Sequence, residues 1–98
     1  MGGGMEEGKG VAQDVQIKAV DMDDALRDQA VSVAREAFVQ KKVEKEVAQY
    51  IKQKFDELHG ANWHCVVGKS FGSFCTHETG NFIYFYMNHM AVLLFKSG

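Results

Sequence analysis

Proline is missing from this chain altogether, cysteine occurs only twice, and no apolar run approaches the ~18 residues that a membrane-spanning helix needs. That last absence leaves no candidate transmembrane segment. A strong excess of charge of one sign is missing too. Eleven Lys and Arg face thirteen Asp and Glu, for a formal net charge of −2, so composition gives no reason to expect nucleic acid or a membrane as partner. The opening residues, MGGGMEEGKG, have neither a charged n-region nor an apolar h-region, and secretion is not expected. The same stretch places Gly2 after Met1, but Glu6 stands where a myristoylation signal asks for Ser or Thr. Cys65 and Cys75 allow at most one disulfide. In a chain read as cytoplasmic, two free thiols are expected.

What remains is the profile of one folded domain: 98 residues, 46% hydrophobic and 24% charged. Residues 1–12, rich in glycine, read as a disordered tail, and the domain occupies residues 13–98. Val15 to Val20 alternates apolar and polar over its first four residues, a strand signal. Asp21 is the expected N-cap of a first helix, with Asp24 in an acidic first turn. Met22, Leu26, Ala30, Val33 and Ala37 recur at helical spacing, with Phe38 beside them, and predict a helix to about Val39. A second stripe, Val43, Val47, Ile51, Phe55 and Leu58 with Tyr50 beside it, predicts a second helix closed by Gly60. From Asn62 onward the period becomes that of strands: WHCVV, SFGSFCT, NFIYFYM and MAVLLFK. Asn88 and His89 form a tight hairpin between the last two. The expected fold class is α+β, two helices packed on a mostly antiparallel five-stranded sheet.

Few of the chemically able side chains assemble into a catalytic or metal pattern. Cys65, Cys75, His64 and His77 are formally a zinc set. Neighbouring strand residues point to opposite faces, however, so His64 and Cys65 cannot both ligate from one strand, and no Cys-x₂₋₄-Cys knuckle is present. Cys75, His77 and Glu78 lack an oxyanion-hole or nucleophile-turn signature, and GKSFG lacks the lead-in of a P-loop. No catalytic residue, metal or cofactor is therefore assigned. A small cytosolic redox or metal-binding protein using those two cysteines and two histidines is the alternative reading.

Two features point instead to binding. The stretch SFGSFCT is weakened as an interior strand by Gly72 and by its hydroxyl residues. It belongs at a sheet edge, where unpaired backbone groups can template another chain. In the next strand, Phe82, Tyr84 and Tyr86 share one face while Ile83, Phe85 and Met87 share the other. One set can face the helices, and the other needs a second cover that a chain this short lacks.

The run WHCVVGKSFGSFCTHETGNFIYFYM, followed by AVLLFKSG, closely resembles the eight-kilodalton dynein light chain family. VEKEVAQYIKQKFDE and VQIKAVDM fit the same family, and the resemblance spans about residues 15–98. It implies a two-fold dimer in which the strand at about Ser70–Thr76 is exchanged into the partner's sheet. It also implies non-catalytic binding of disordered segments carrying a Thr-Gln-Thr or similar glutamine-centred motif, with dynein intermediate chains among the partners. The segment would add as an antiparallel strand along Ser70, Phe71, Gly72, Ser73, Phe74, Cys75, Thr76 and His77. Phe82, Tyr84, Tyr86 and Ala91 would line the groove, Glu44 and Lys45 would meet the glutamine, and Lys18 would meet an acidic flank. His64, Lys69, Phe71, Ser73, Cys75 and Ser97 fall at the implied dimer interface. Localisation to cytoplasm and cytoskeleton follows from the resemblance. The chain departs from the family at Phe74, usually tyrosine, at Cys75, usually valine, at YMNHMA in place of YLGQVA, and along the first helix. These departures suggest a specialised paralogue serving axonemal dynein in cilia or flagella, as a homodimer or paired with a related light chain.

Overall fold

The computed structural model describes residues 14–69 and 80–97. Strand β1, Val15–Asp21, leads into helix α1, Asp24–Gln40, and helix α2, Glu44–His59, after which β2, Trp63–Gly68, β3, Phe82–Met87, and β4, Met90–Lys96, complete the described elements. The four strands form one antiparallel sheet in the order β1-β3-β4-β2. The fifth strand expected at about Ser70–Thr76 lies outside the described residues.

Helix α1 starts two residues later than expected. Its N-cap is Asp23, whose Oδ1 accepts from the Leu26 backbone N–H at 2.8 Å. Asp21 cannot take that role, because β1 continues through it and pairs it with Phe82. Helix α2 ends as its sequence requires: Gly60 sits at φ +81°, a left-handed conformation that a side chain would disfavour, and donates its N–H to Asp56 O at 3.0 Å. Of the predicted α2 stripe, Val47, Ile51 and Phe55 are buried, while Val43 and Leu58 are exposed at its two ends. The hairpin between β3 and β4 turns through Asn88, at φ +57°. Asn88 also ties β1 to this turn, donating its N–H to Asp14 O at 2.8 Å and accepting from Asp14 N at 3.1 Å through Oδ1.

Directly opposed residues of antiparallel strands share a face, so the register sorts every strand residue. Ile83 opposes Leu94 and Phe85 opposes Val92, while Val67 opposes Val92 and Cys65 opposes Leu94. This face meets the helices. Ile83, Phe85, Met87, Val92, Leu94, Trp63 and Val67 form one core with Ala30, Val33, Ala34 and Ala37 of α1 and with Val47, Ile51 and Phe55 of α2. Small residues on α1 let it lie close to α2, and α2 in turn packs on β2. Phe55 meets Trp63 edge-to-face at 4.9 Å and 74°, a geometry that favours the pair beyond its buried area.

Candidate functional site: an uncovered sheet face and an unpaired edge

Among the described residues, no helix lies over the other sheet face. By register it carries Phe82, Tyr84 and Tyr86 from β3, opposed to Phe95, Leu93 and Ala91 from β4, and then His64, Val66 and Gly68 from β2. Of the two β3 sets that sequence left as alternatives, the aromatic one is therefore open, and Phe82, Tyr84 and Tyr86 are only partly buried. Val66, a β-branched apolar residue, is 46% exposed. His64 is exposed and stacks on Phe95, ring centroids 5.2 Å apart and 28° between planes. Tyr84 and Tyr86 meet edge-on at 6.0 Å. Their hydrogen bond, with burial and the neighbouring phenol's charge, raises the Tyr84 pKa above the ordinary tyrosine value. On the rim formed by β1, Lys18 sets its Nζ 5.4 Å from the Tyr86 ring centroid, within cation–π range. An apolar aromatic centre with a polar border is the anatomy of an interface.

This face ends at β2, whose outer edge is unpaired among the described strands. Between that edge and α2 runs a trough of about 620 Å³ lined by Lys45, Ala48, Gln49, Lys52, His64, Cys65, Val66 and Phe95. Asp56 holds β2 against α2 at this point. Its Oδ1 accepts the Trp63 backbone N–H at 2.8 Å and its Oδ2 binds Lys52. Burial raises the Asp56 pKa. The hydrogen bonds from Lys52 and Trp63, with the charges of Lys52 and His64, outweigh that effect and leave it below its usual value. Cys65, half-buried on the helix side of β2, has its thiol pKa driven far up by burial. It is held neutral and is no activated nucleophile.

Helix α2 presents its N-terminus at the end of the trough. Val43 occupies the N-cap position and makes no side-chain cap bond, so the first-turn N–H groups lack the usual side-chain acceptor. Glu44 and Lys45 are exposed there.

The expected site residues thus fall into separate groups. Tyr84, Tyr86, Phe82, Ala91 and His64 share the open face, although Ala91 is 0% exposed between Tyr86 and Gly68. Lys18 stands at its rim. Glu44 and Lys45 stand beside the β2 edge. Lys69 is exposed just past β2, and Ser97 donates its N–H to Asn62 O at 3.2 Å. Ser70, Phe71, Gly72, Ser73, Phe74, Cys75, Thr76 and His77 lie outside the described residues. Leu93 and Phe95, which continue the aromatic face, were missed by sequence reasoning. Pairing MAVLLFK against NFIYFYM across the two-residue turn was the signal that could have found them. Among the described residues no three His, Cys, Asp or Glu side chains group closely enough to hold a metal ion, and no helix there is long and apolar enough to cross a membrane.

Among the described residues, fold and site define a small two-layer α+β subunit with one sheet face free of helix and with β1 and β2 as its outer strands. The dynein light chain type 1 family model matches residues 14–97. The cytoplasmic dynein light chain of Emericella nidulans is 58% identical over 82 residues, which cover 84% of this chain and 87% of that protein. The dynein light chain-like domain of the Fasciola hepatica calcium binding protein FhCaBP2 is similar in structure. It has a TM-score of 0.76 at 24% identity and covers 88% of this chain and 93% of that one. The DLC-like domain of CsTAL3 has a TM-score of 0.62 at 19% identity, covering 85% and 92%. Those two likenesses speak for the fold alone. The chain belongs to the dynein light chain type 1 family, whose members are generally non-catalytic structural or adaptor proteins.

Proposed function

We propose that this chain is a dimeric dynein light chain of the cytoplasm and cytoskeleton. In this reading it binds disordered segments of dynein intermediate chains and other clients through a glutamine-centred motif, by strand addition. The observation that carries the reading is the sheet face that, among the described residues, no helix covers, running from the partly buried Phe82, Tyr84 and Tyr86 across Phe95 to the exposed Val66 and ending at β2, whose outer edge is unpaired among the described strands. A face of this kind is stabilised when a second copy covers it. In the proposed dimer the segment at about Ser70–Thr76 of each copy adds to β2 of the other, and the client pairs with that exchanged strand.

The client's glutamine is then read at the N-terminus of α2. Its amide oxygen accepts from the uncapped first-turn N–H groups, and Glu44 and Lys45 flank it. Backbone bonds give affinity, and the α2 end gives selectivity. Two parallel grooves hold two client copies side by side, so tethering raises overall avidity by ~10²–10⁴-fold over one contact. The departures at Phe74, Cys75 and the β3–β4 turn favour a specialised member, serving axonemal dynein and pairing with itself or a related light chain. Calorimetry with a Thr-Gln-Thr peptide tests the groove. One peptide bound per subunit is expected, with binding lost when the glutamine becomes alanine. Binding that ignores this change would remove α2 from the recognition.

A further inference from the structure

The described sheet has two outer strands, and they are built differently. Strand β2 pairs with β4 without interruption from Trp63 to Gly68, and its centre, Cys65, Val66 and Val67, is uncharged. Strand β1 breaks its pairing with β3 between Ile17 and Ala19, where Lys18 is an extra residue. That bulge decides which side chains face where. Ala19 comes opposite Tyr84 on the open face, and Val20 comes opposite Ile83 on the helix face. An unbroken register would exchange them. The Lys18 side chain is thereby brought over Tyr86. Asp14 precedes the strand and Asp21 is its last residue.

The edge needs this protection. The helix layer does not reach β1 fully, leaving Ile17 41% and Val20 44% exposed. A straight strand with those two residues would invite pairing with any open strand edge, including β2 of another copy. Such β2-to-β1 addition is heterologous and does not close on itself, so it leads to filaments. We propose that the Lys18 bulge, with its charge, is an assembly stop: it shuts the β1 edge to strand addition and confines pairing to β2. Lys18 is also the residue expected to meet an acidic flank of the client, so the test reads assembly in the absence of peptide, where the peptide reading has no bearing on the outcome.

Sedimentation velocity over a concentration series, with thioflavin T fluorescence, tests it on the full chain. The natural chain is expected to reach a constant sedimentation coefficient. Deletion of Lys18, which straightens β1, is expected to give a coefficient that keeps rising and a thioflavin signal. A folded deletion variant, by circular dichroism, that stops at the same coefficient as the natural chain overturns the proposal. If the deletion prevents folding, hydrogen exchange on the natural chain decides. Rising concentration should protect the amides of β2 and leave the outward amides of β1 at their dilute rates. Concentration-dependent protection of β1 overturns the proposal as well.

Discussion

Asp56 joins the two layers at the point where the open edge begins, because one carboxylate holds both the first amide of β2 and Lys52 of α2. Asp56→Asn weakens both contacts at a half-buried site and is expected to cost about 1–3 kcal/mol of stability, read by urea unfolding. The pH dependence has a definite sign. The folded carboxyl titrates below its unfolded value, so its stabilisation is present above the ordinary Asp range and is lost as pH falls through the lowered folded pKa. Melting temperature against pH should therefore fall on the acid side in the natural chain and fall less in Asp56→Asn. An unchanged acid limb would remove Asp56 from that role. His64 and Cys65, adjacent in sequence, divide between the two faces. Sequence alone was enough to put them on opposite faces, whereas the stacking of His64 on Phe95 depends on a register that only the paired strands define.

The two helix N-termini contrast. Asp23 caps α1, and substituting it by alanine is expected to cost about 1 kcal/mol. At α2 the cap position holds Val43, without a side-chain acceptor. Val43→Ser should stabilise the subunit by about 0.5–1 kcal/mol and weaken binding of a glutamine-centred peptide, because the hydroxyl competes for the same N–H groups. Higher melting temperature with unchanged affinity would place glutamine recognition elsewhere. Both helices were legible in their apolar stripes and in Gly60, since a 3.6-residue period is a local property. The N-cap of α1 was not: the run DMDD offers three competent aspartates, and the choice depends on how far β1 extends. The bulge left at most a trace, the apolar pair Ala19 and Val20 just after VQIK. One extra residue alters facing only once a partner strand is known, so that trace had no reading on its own.

For the whole molecule, the open face separates stability from assembly. Val66→Glu adds charge to an exposed position on that face. It should leave the isolated subunit within about 0.5 kcal/mol while preventing a second copy from covering Phe95 and Tyr84. A variant that unfolds would show that Val66 belongs to the subunit's own core. The aromatic strand announced in sequence that one of its faces needed a cover, because a chain of 98 residues cannot supply two helix layers. Which face was open emerged only when Ile83, Phe85 and Met87 were placed beneath α1 and α2.

Sedimentation of the purified chain, alone and with a Thr-Gln-Thr peptide, tests the central claim most directly. A particle of twice the chain mass that takes up one peptide per subunit is the predicted result. A monomer that binds no peptide, in the absence of any other light chain, would contradict it.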